Sequence, residues 1–141
     1  MTTIAYRWGV MAADSRAMVG GWKASYGSDK LHRLPDGTVA GVVGEYASAV
    51  RFVVWLQSGE AGDNPGLSEA SVIRMLKDGS LIIYEENGAF PVRTEFGAWG
   101  SGSPAANAAM YMGADAAKAI EIAALLDDST GGKVITMKCE V

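Results

Sequence analysis

The chain has 141 residues, enough for one domain with a real core and too few for two ordinary ones. Apolar residues make up 49% and charged residues 20%, a globular composition. The net charge is -4 and Lys and Arg are scattered, which disfavours a nucleic-acid partner.

Residues 2–8 have strand character, and Gly9 marks a tight turn into a second apolar strand over 10–13. Asp14 falls where that strand ends. Residues 17–28 hold Gly20-Gly21, Gly27 and Ser28 and are expected to form a loop. A short strand over 30–34, the turn Pro35-Asp36-Gly37 and a returning strand over 38–43 complete a β-rich first third.

At Gly44 the period changes. Tyr46, Ala47, Val50, Val53, Val54 and Leu56 fit one apolar face of a helix that ends before Gly59, with Arg51 as its only charge. A loop follows over 59–66. Residues 68–77 read either as a short helix capped by Ser68 or as a strand. The strand, over 71–76, is preferred because Asp78-Gly79 and Asn87-Gly88 are hairpin signals between apolar runs. They imply a meander through 80–84 and 89–92, followed by another strand over 96–100.

Beyond Gly100 the chain is alanine-rich. Ser103-Pro104 predicts a cap and first turn for a helix over 105–112. A second helix over 114–126 is expected to turn Ala117, Ile120, Ile122, Ala124 and Leu125 inward, before Gly131-Gly132 and a last strand over 134–139. Two antiparallel sheets with helices outside them suit this order, an α/β (α+β) domain spanning 1–141. The single cysteine, Cys139, excludes an internal disulfide and reads as a packed strand residue. His32, the sole histidine, reads as a strand residue facing solvent or a subunit contact, and one His with one Cys cannot supply a usual zinc site. The four tryptophans read as core or interface anchors. No apolar run approaches the ~18 residues of a membrane span, and the N-terminus lacks signal-peptide features. A soluble, cytoplasmic protein without a membrane partner is expected.

Thr2 carries the chemistry of most interest. Once Met1 is removed, its hydroxyl lies beside its own α-amine. A hydroxyl is a poor nucleophile until a base takes its proton, and an α-amine of pKa about 8 is a usable base near neutral pH. A buried lysine with a lowered pKa can share that work, oriented by a carboxylate.

Thr2-Thr3-Ile4, Met11-Ala12-Ala13-Asp14-Ser15-Arg16, Lys30 and Ala40-Gly41-Val42-Val43-Gly44 occur in that order. Gly100-Ser101-Gly102-Ser103 and Asp127-Asp128-Ser129-Thr130-Gly131-Gly132 follow. Together these blocks resemble the proteasome β-subunit family of N-terminal nucleophile (Ntn) hydrolases, most closely its compact bacterial and phage HslV-type members. The resemblance implies a four-layer αββα sandwich and a threonine peptidase without metal or cofactor. It implies Thr2 as nucleophile, Lys30 lowering the proton affinity of amine and hydroxyl, and Asp14 as the partner of that lysine. It further implies Gly44 N–H as oxyanion donor, and Ser101, Asp127 and Thr130 as supports around the terminal amine. Thr130 stands where many relatives carry serine. Asp128 leaves the aspartate open by one residue, and Asp127 is preferred for its spacing to the glycine pair. Arg16 reads as structural.

The resemblance also implies a polypeptide substrate, a homo-oligomeric ring and a ring-shaped ATPase as usual partner. The sequence departs from the family where a second helix should follow the first, since only residues 59–70 are available. That leaves room for a smaller oligomer, even a dimer. Two other readings stand beside the peptidase: a non-peptidase amidase on the same scaffold, and a catalytically silent assembly subunit if Met1 is retained.

Overall fold

The computed structural model describes residues 2–19, 22–24 and 29–140, the side chains of 18, 19, 23 and 24 excepted. Strand β1 (Thr3–Arg7) turns at Trp8-Gly9 into β2 (Val10–Ala13), with Arg7 opposite Val10 and Ile4 opposite Ala13. Both turn residues have positive φ, 53° and 73°, the two-residue turn whose twist matches antiparallel strands. Next come β3 (Ala17–Val19) and β4 (Trp22–Ala24), which pair with each other. The loop expected over 17–28 is therefore partly a hairpin. A Gly-Gly pair between two short runs is also a hairpin signal. Gly20-Gly21, Gly27 and Ser28 themselves lie outside the described residues.

The second sheet begins with β5 (Leu31–Arg33) and β6 (Val39–Gly44), joined by the expected turn around Asp36, whose carboxylate accepts from Thr38 N–H. Helix α1 (Tyr46–Gln57) follows, then β7 (Ala70–Met75), β8 (Leu81–Glu85) and β9 (Gly88–Val92), the expected meander. Strand β10 (Phe96–Gly100) leaves that sheet and pairs with β1, Thr3 opposite Gly100. Helices α2 (Ser103–Tyr111) and α3 (Ala116–Leu126) lead to β11 (Ile135–Lys138). The sheet orders are β10-β1-β2-β11 and β5-β6-β7-β8-β9, all antiparallel.

Three apolar clusters make the layers. Ile4, Tyr6, Met11, Val39, Ile73 and Leu81 fill the space between the sheets. Alternate residues of the same strands face outward: Ala5 and Ala12 meet the alanines of α2 and α3, while Ala40, Val42 and Val72 meet Phe52, Val53 and Leu56 of α1. Small residues on both partners let α2 and α3 lie close to their sheet. The result is an αββα sandwich with two helices on one side and one on the other. No helix occurs between α1 and β7. Ser68 N–H is instead tied to Ser48 Oγ at 2.9 Å, which draws the connecting loop onto α1.

The helix faces differ from expectation. In α1 the buried stripe is Ser48, Ala49, Phe52, Val53 and Leu56, while Tyr46, Ala47 and Val54 are exposed. Glu45 fixes that rotation by capping Ala47 and Ser48 N–H with its carboxylate. Helix α2 starts one turn position early: Ser103 is its first residue, Gly102 its cap, and no side chain caps it. Helix α3 starts at Ala116 because Asp115 accepts from Lys118 N–H. It buries Ala116, Ala119, Ile120 and Ala123 and leaves Leu125 84% exposed. Trp8 and Trp22 are also exposed rather than core, with the Arg7 guanidinium 4.2 Å from the centre of the Trp8 ring. No described helix is long and apolar enough to cross a membrane.

Candidate active site

The two sheets bring their strand ends together at one edge. There β1 begins, β2 ends just before Asp14, β6 ends in Gly44 and β10 ends in Gly100. A cleft of about 410 Å³ opens between them, lined by Thr2, Gly100 and Ser101 on one wall and by Val43, Gly44 and Glu69 among others facing them. Gly44 has φ 89°, and a Cβ there would stand 2.4 Å from the Glu69 carbonyl oxygen, so only glycine lets β6 end against β7. Gly100 has φ 102°, and a Cβ there would overlap the Thr2 carbonyl. Ser101 N–H donates to that same carbonyl at 3.1 Å, which pins the start of the chain to the β10–α2 turn.

Behind Thr2 lies a buried ion pair. Lys30 Nζ donates to Asp14 Oδ1 at 2.8 Å and to the Arg16 carbonyl at 2.5 Å, and both side chains are almost wholly buried. Asp14 also accepts Thr3 N–H at Oδ1 and Gly131 N–H at Oδ2, each at 3.1 Å. Burial drives the Lys30 pKa below the ordinary 10.5. The hydrogen bond and charge of Asp14 oppose that shift, and the Arg16 charge adds to it.

The second cluster sits where α3 ends. Asp127, its C-cap, accepts at Oδ2 from Ser101 Oγ at 2.6 Å and from Thr130 Oγ1 at 2.5 Å. These two hydrogen bonds hold the Asp127 carboxyl below its usual range. Asp128 contributes only its backbone carbonyl, to Arg16 Nη1 at 2.8 Å. Arg16 thereby clamps the 128–131 loop against the end of β2.

Thr3 joins the clusters and escaped the sequence reading. Its backbone N–H reaches Asp14, while its buried hydroxyl lies 2.7 Å from Thr130 Oγ1 and accepts Gly102 N–H at 2.9 Å. Thr130 has one hydroxyl hydrogen, which the Asp127 carboxylate takes, so Thr3 must donate to Thr130. The polarity is fixed: Thr3 to Thr130 to Asp127, with Ser101 donating to the same carboxylate. The repeated Thr-Thr at the chain start was the available signal. We expect Thr3→Val to lower stability by about 1–3 kcal/mol, because it strands the buried Gly102 N–H. Thr3→Ser should recover most of that loss. Urea denaturation of the three proteins measures it.

Of the sequence candidates, Thr2, Gly44 and Ser101 line the cleft, Asp14 and Lys30 form the buried pair, and Asp127 and Thr130 join Ser101. His32 lies outside the cleft lining. It is half-buried rather than facing solvent, its Nε2 has no partner among the described residues, and burial lowers its pKa. Cys139 Sγ donates to the Met75 carbonyl at 3.2 Å, and burial pushes its thiol pKa up, which suits a packed residue. No cluster of His, Cys, Asp and Glu able to hold a metal occurs among the described residues. Gly100-Ser101-Gly102-Ser103 forms the passage from β10 into α2.

No protein-family model and no curated protein matches the sequence. Solved structures do match its fold. Eukaryotic HslV from Trypanosoma brucei superposes with TM-score 0.71 at 20% identity, covering 97% of this chain and 98% of that one. Thiobacillus denitrificans BPH gives TM-score 0.67 at 20% identity, covering 99% and 98%. The same protein in complex with epoxomicin gives 0.68 at 21%, covering 99% of each. The chain therefore has the HslV-type fold, an αββα sandwich, over nearly its whole length.

Proposed function

We propose that this chain is a threonine-type amide hydrolase acting on peptides, with Thr2 as the nucleophile. The observation that carries this reading is the shared cleft of Thr2 and Gly44, backed by the buried Lys30–Asp14 pair. With Met1 removed, Thr2 Oγ1 attacks the amide carbonyl and its proton passes to the α-amine. Lys30 favours the neutral amine through its positive charge, and Asp14 keeps that lysine in place. Gly44 N–H donates to the developing oxyanion. The leaving amine takes the proton, and water then hydrolyses the acyl-enzyme through the same groups. Ser101, Asp127 and Thr130 form a fixed polar frame for the amine. No metal or organic cofactor enters these steps. The epoxomicin complex of the Thiobacillus protein, on the same fold, supports a peptide-like ligand for this cleft.

Intact-mass spectrometry tests the reading directly. Loss of Met1 is expected, as is one covalent equivalent at Thr2 after a peptide vinyl sulfone, a β-lactone or epoxomicin. Met1 itself lies outside the described residues. Its retention, with no adduct, would leave a silent assembly subunit instead. Cleavage of small amides but of no peptide would leave an amidase.

We also propose a homo-oligomer. Tyr46 and Val54 lie exposed on α1, on the side where no further helix covers them. Covering such apolar surface contributes roughly 25 cal/mol per Å². Light scattering at micromolar concentration should give a multiple of 14.7 kDa, and Val54→Glu should shift it toward the monomer. A monomer mass for the parent would defeat this proposal. A ring-shaped ATPase is the partner the family resemblance suggests.

A further inference from the structure

Among the described residues that line the Thr2 cleft, Glu69 alone carries a charged side chain. Its backbone is held unusually firmly for an exposed residue. It has φ 54°, left-handed and sparsely populated for a residue with a Cβ. Its carbonyl accepts Glu45 N–H at 2.9 Å and occupies the space that a side chain at Gly44 would need. The next residue, Ala70, pairs with Gly44 across β6 and β7. Glu69 is thus built into the same backbone unit as Gly44. Two carboxylates flank that glycine, and they are used differently. Glu45 spends its oxygens on the first turn of α1. The Glu69 carboxylate makes no hydrogen bond or ion pair among the described residues. Among the described residues, no lysine or arginine side chain lines the cleft to neutralise it.

We propose that Glu69 determines substrate charge: the cleft selects peptides that carry an ammonium or guanidinium group beside the scissile amide. A cationic side chain entering the cleft meets an uncompensated negative charge on the wall that carries Gly44. An acidic one meets repulsion. This rests on the reading of Thr2 as nucleophile.

The test uses the full-length protein and three matched peptide vinyl sulfones bearing arginine, norleucine or glutamate next to the electrophile. The expected order of labelling at Thr2 is arginine, then norleucine, then glutamate. The first gap is about fivefold, the upper range of a solvent-screened ion pair, and it shrinks at about 1 M salt. In Glu69→Gln the arginine-to-norleucine ratio should fall to about one. Glutamine carries the same Cβ into the left-handed backbone, so the melting temperature should hold. In Glu69→Lys the order should invert. Equal losses on all three probes in Glu69→Gln would show a purely structural residue and overturn the proposal. Labelling of the parent without charge preference would overturn it while leaving Thr2 as nucleophile. Retained Met1, or no labelling by any probe, would defeat the reading of Thr2 and take the specificity with it.

Discussion

Thr2→Ala should yield a folded protein that neither cleaves a peptide amide nor takes up a vinyl sulfone. The substitution removes a hydroxyl and a methyl group from the residue just before β1 begins. The backbone bond from Ser101 N–H to the residue 2 carbonyl does not need that side chain. Stability should therefore change little. Activity should fall by at least about 10⁴-fold, because neither the amine nor Gly44 N–H can act without an attacking atom. Thr2→Ser, which keeps the hydroxyl, should retain measurable turnover. Fluorogenic peptide hydrolysis and a thermal melt on the three proteins check both halves. Parental turnover in the alanine protein would end the threonine mechanism.

Lys30→Ala is expected to lower activity by at least about a hundredfold, the range of a positioned acid–base group. It should also cost roughly 3 kcal/mol of stability, the low end for a broken buried pair. The low end applies because Asp14 keeps the N–H groups of Thr3 and Gly131. Lys30→Arg should restore little activity. The site holds a compact ammonium between Asp14 and the Arg16 carbonyl, and a planar fork does not fit it. The pH dependence follows in sign. Burial sets the folded pKa of Lys30 below the 10.5 of the open chain. Below the folded value Lys30 is charged in both states, and the cost of its burial is fully present. Between the two values the unfolded chain binds more protons, so this contribution to stability rises with pH. The mechanism uses Lys30 as an ammonium, so the rate should fall as pH rises through the same lowered pKa. Parental activity in the arginine protein would show that only a fixed positive charge is needed.

The strands were legible because their apolar residues alternate and their turns carry Asp-Gly, Asn-Gly or Pro-Asp-Gly. Helix faces were harder. Ser48 is polar yet buried, since its Oγ holds the 58–69 loop, whereas Val54 and Leu125 are apolar yet exposed. Periodicity weighs hydrophobicity and cannot see a buried hydroxyl with a structural task. The helix missing after α1 was legible from length alone. Thr2 stood out by its own chemistry, and the other six candidates came from resemblance, because nothing in a spacing of sixteen residues says that Asp14 meets Lys30. In the structure Thr2, Gly44 and Ser101 line one cleft, Asp14 and Lys30 form a buried pair, and Asp127 and Thr130 join Ser101. Thr3 was not legible, because nothing in two adjacent threonines says that the second hydroxyl turns inward to Thr130. Glu69 carried no signal at all, since its place depends on a left-handed backbone at a strand entry.

The hydroxyl chain from Thr3 through Thr130 to Asp127 has a bearing on how little this site must reorganise. Both donors are β-branched and fully buried, so few rotamers are open to each. Serine in either place would keep the hydrogen bond but regain torsional freedom that substrate binding would then have to remove. Two methyl groups that make no hydrogen bond thus hold this chain of hydroxyls in line: much of the entropy of aligning it is lost during folding, before any ligand arrives.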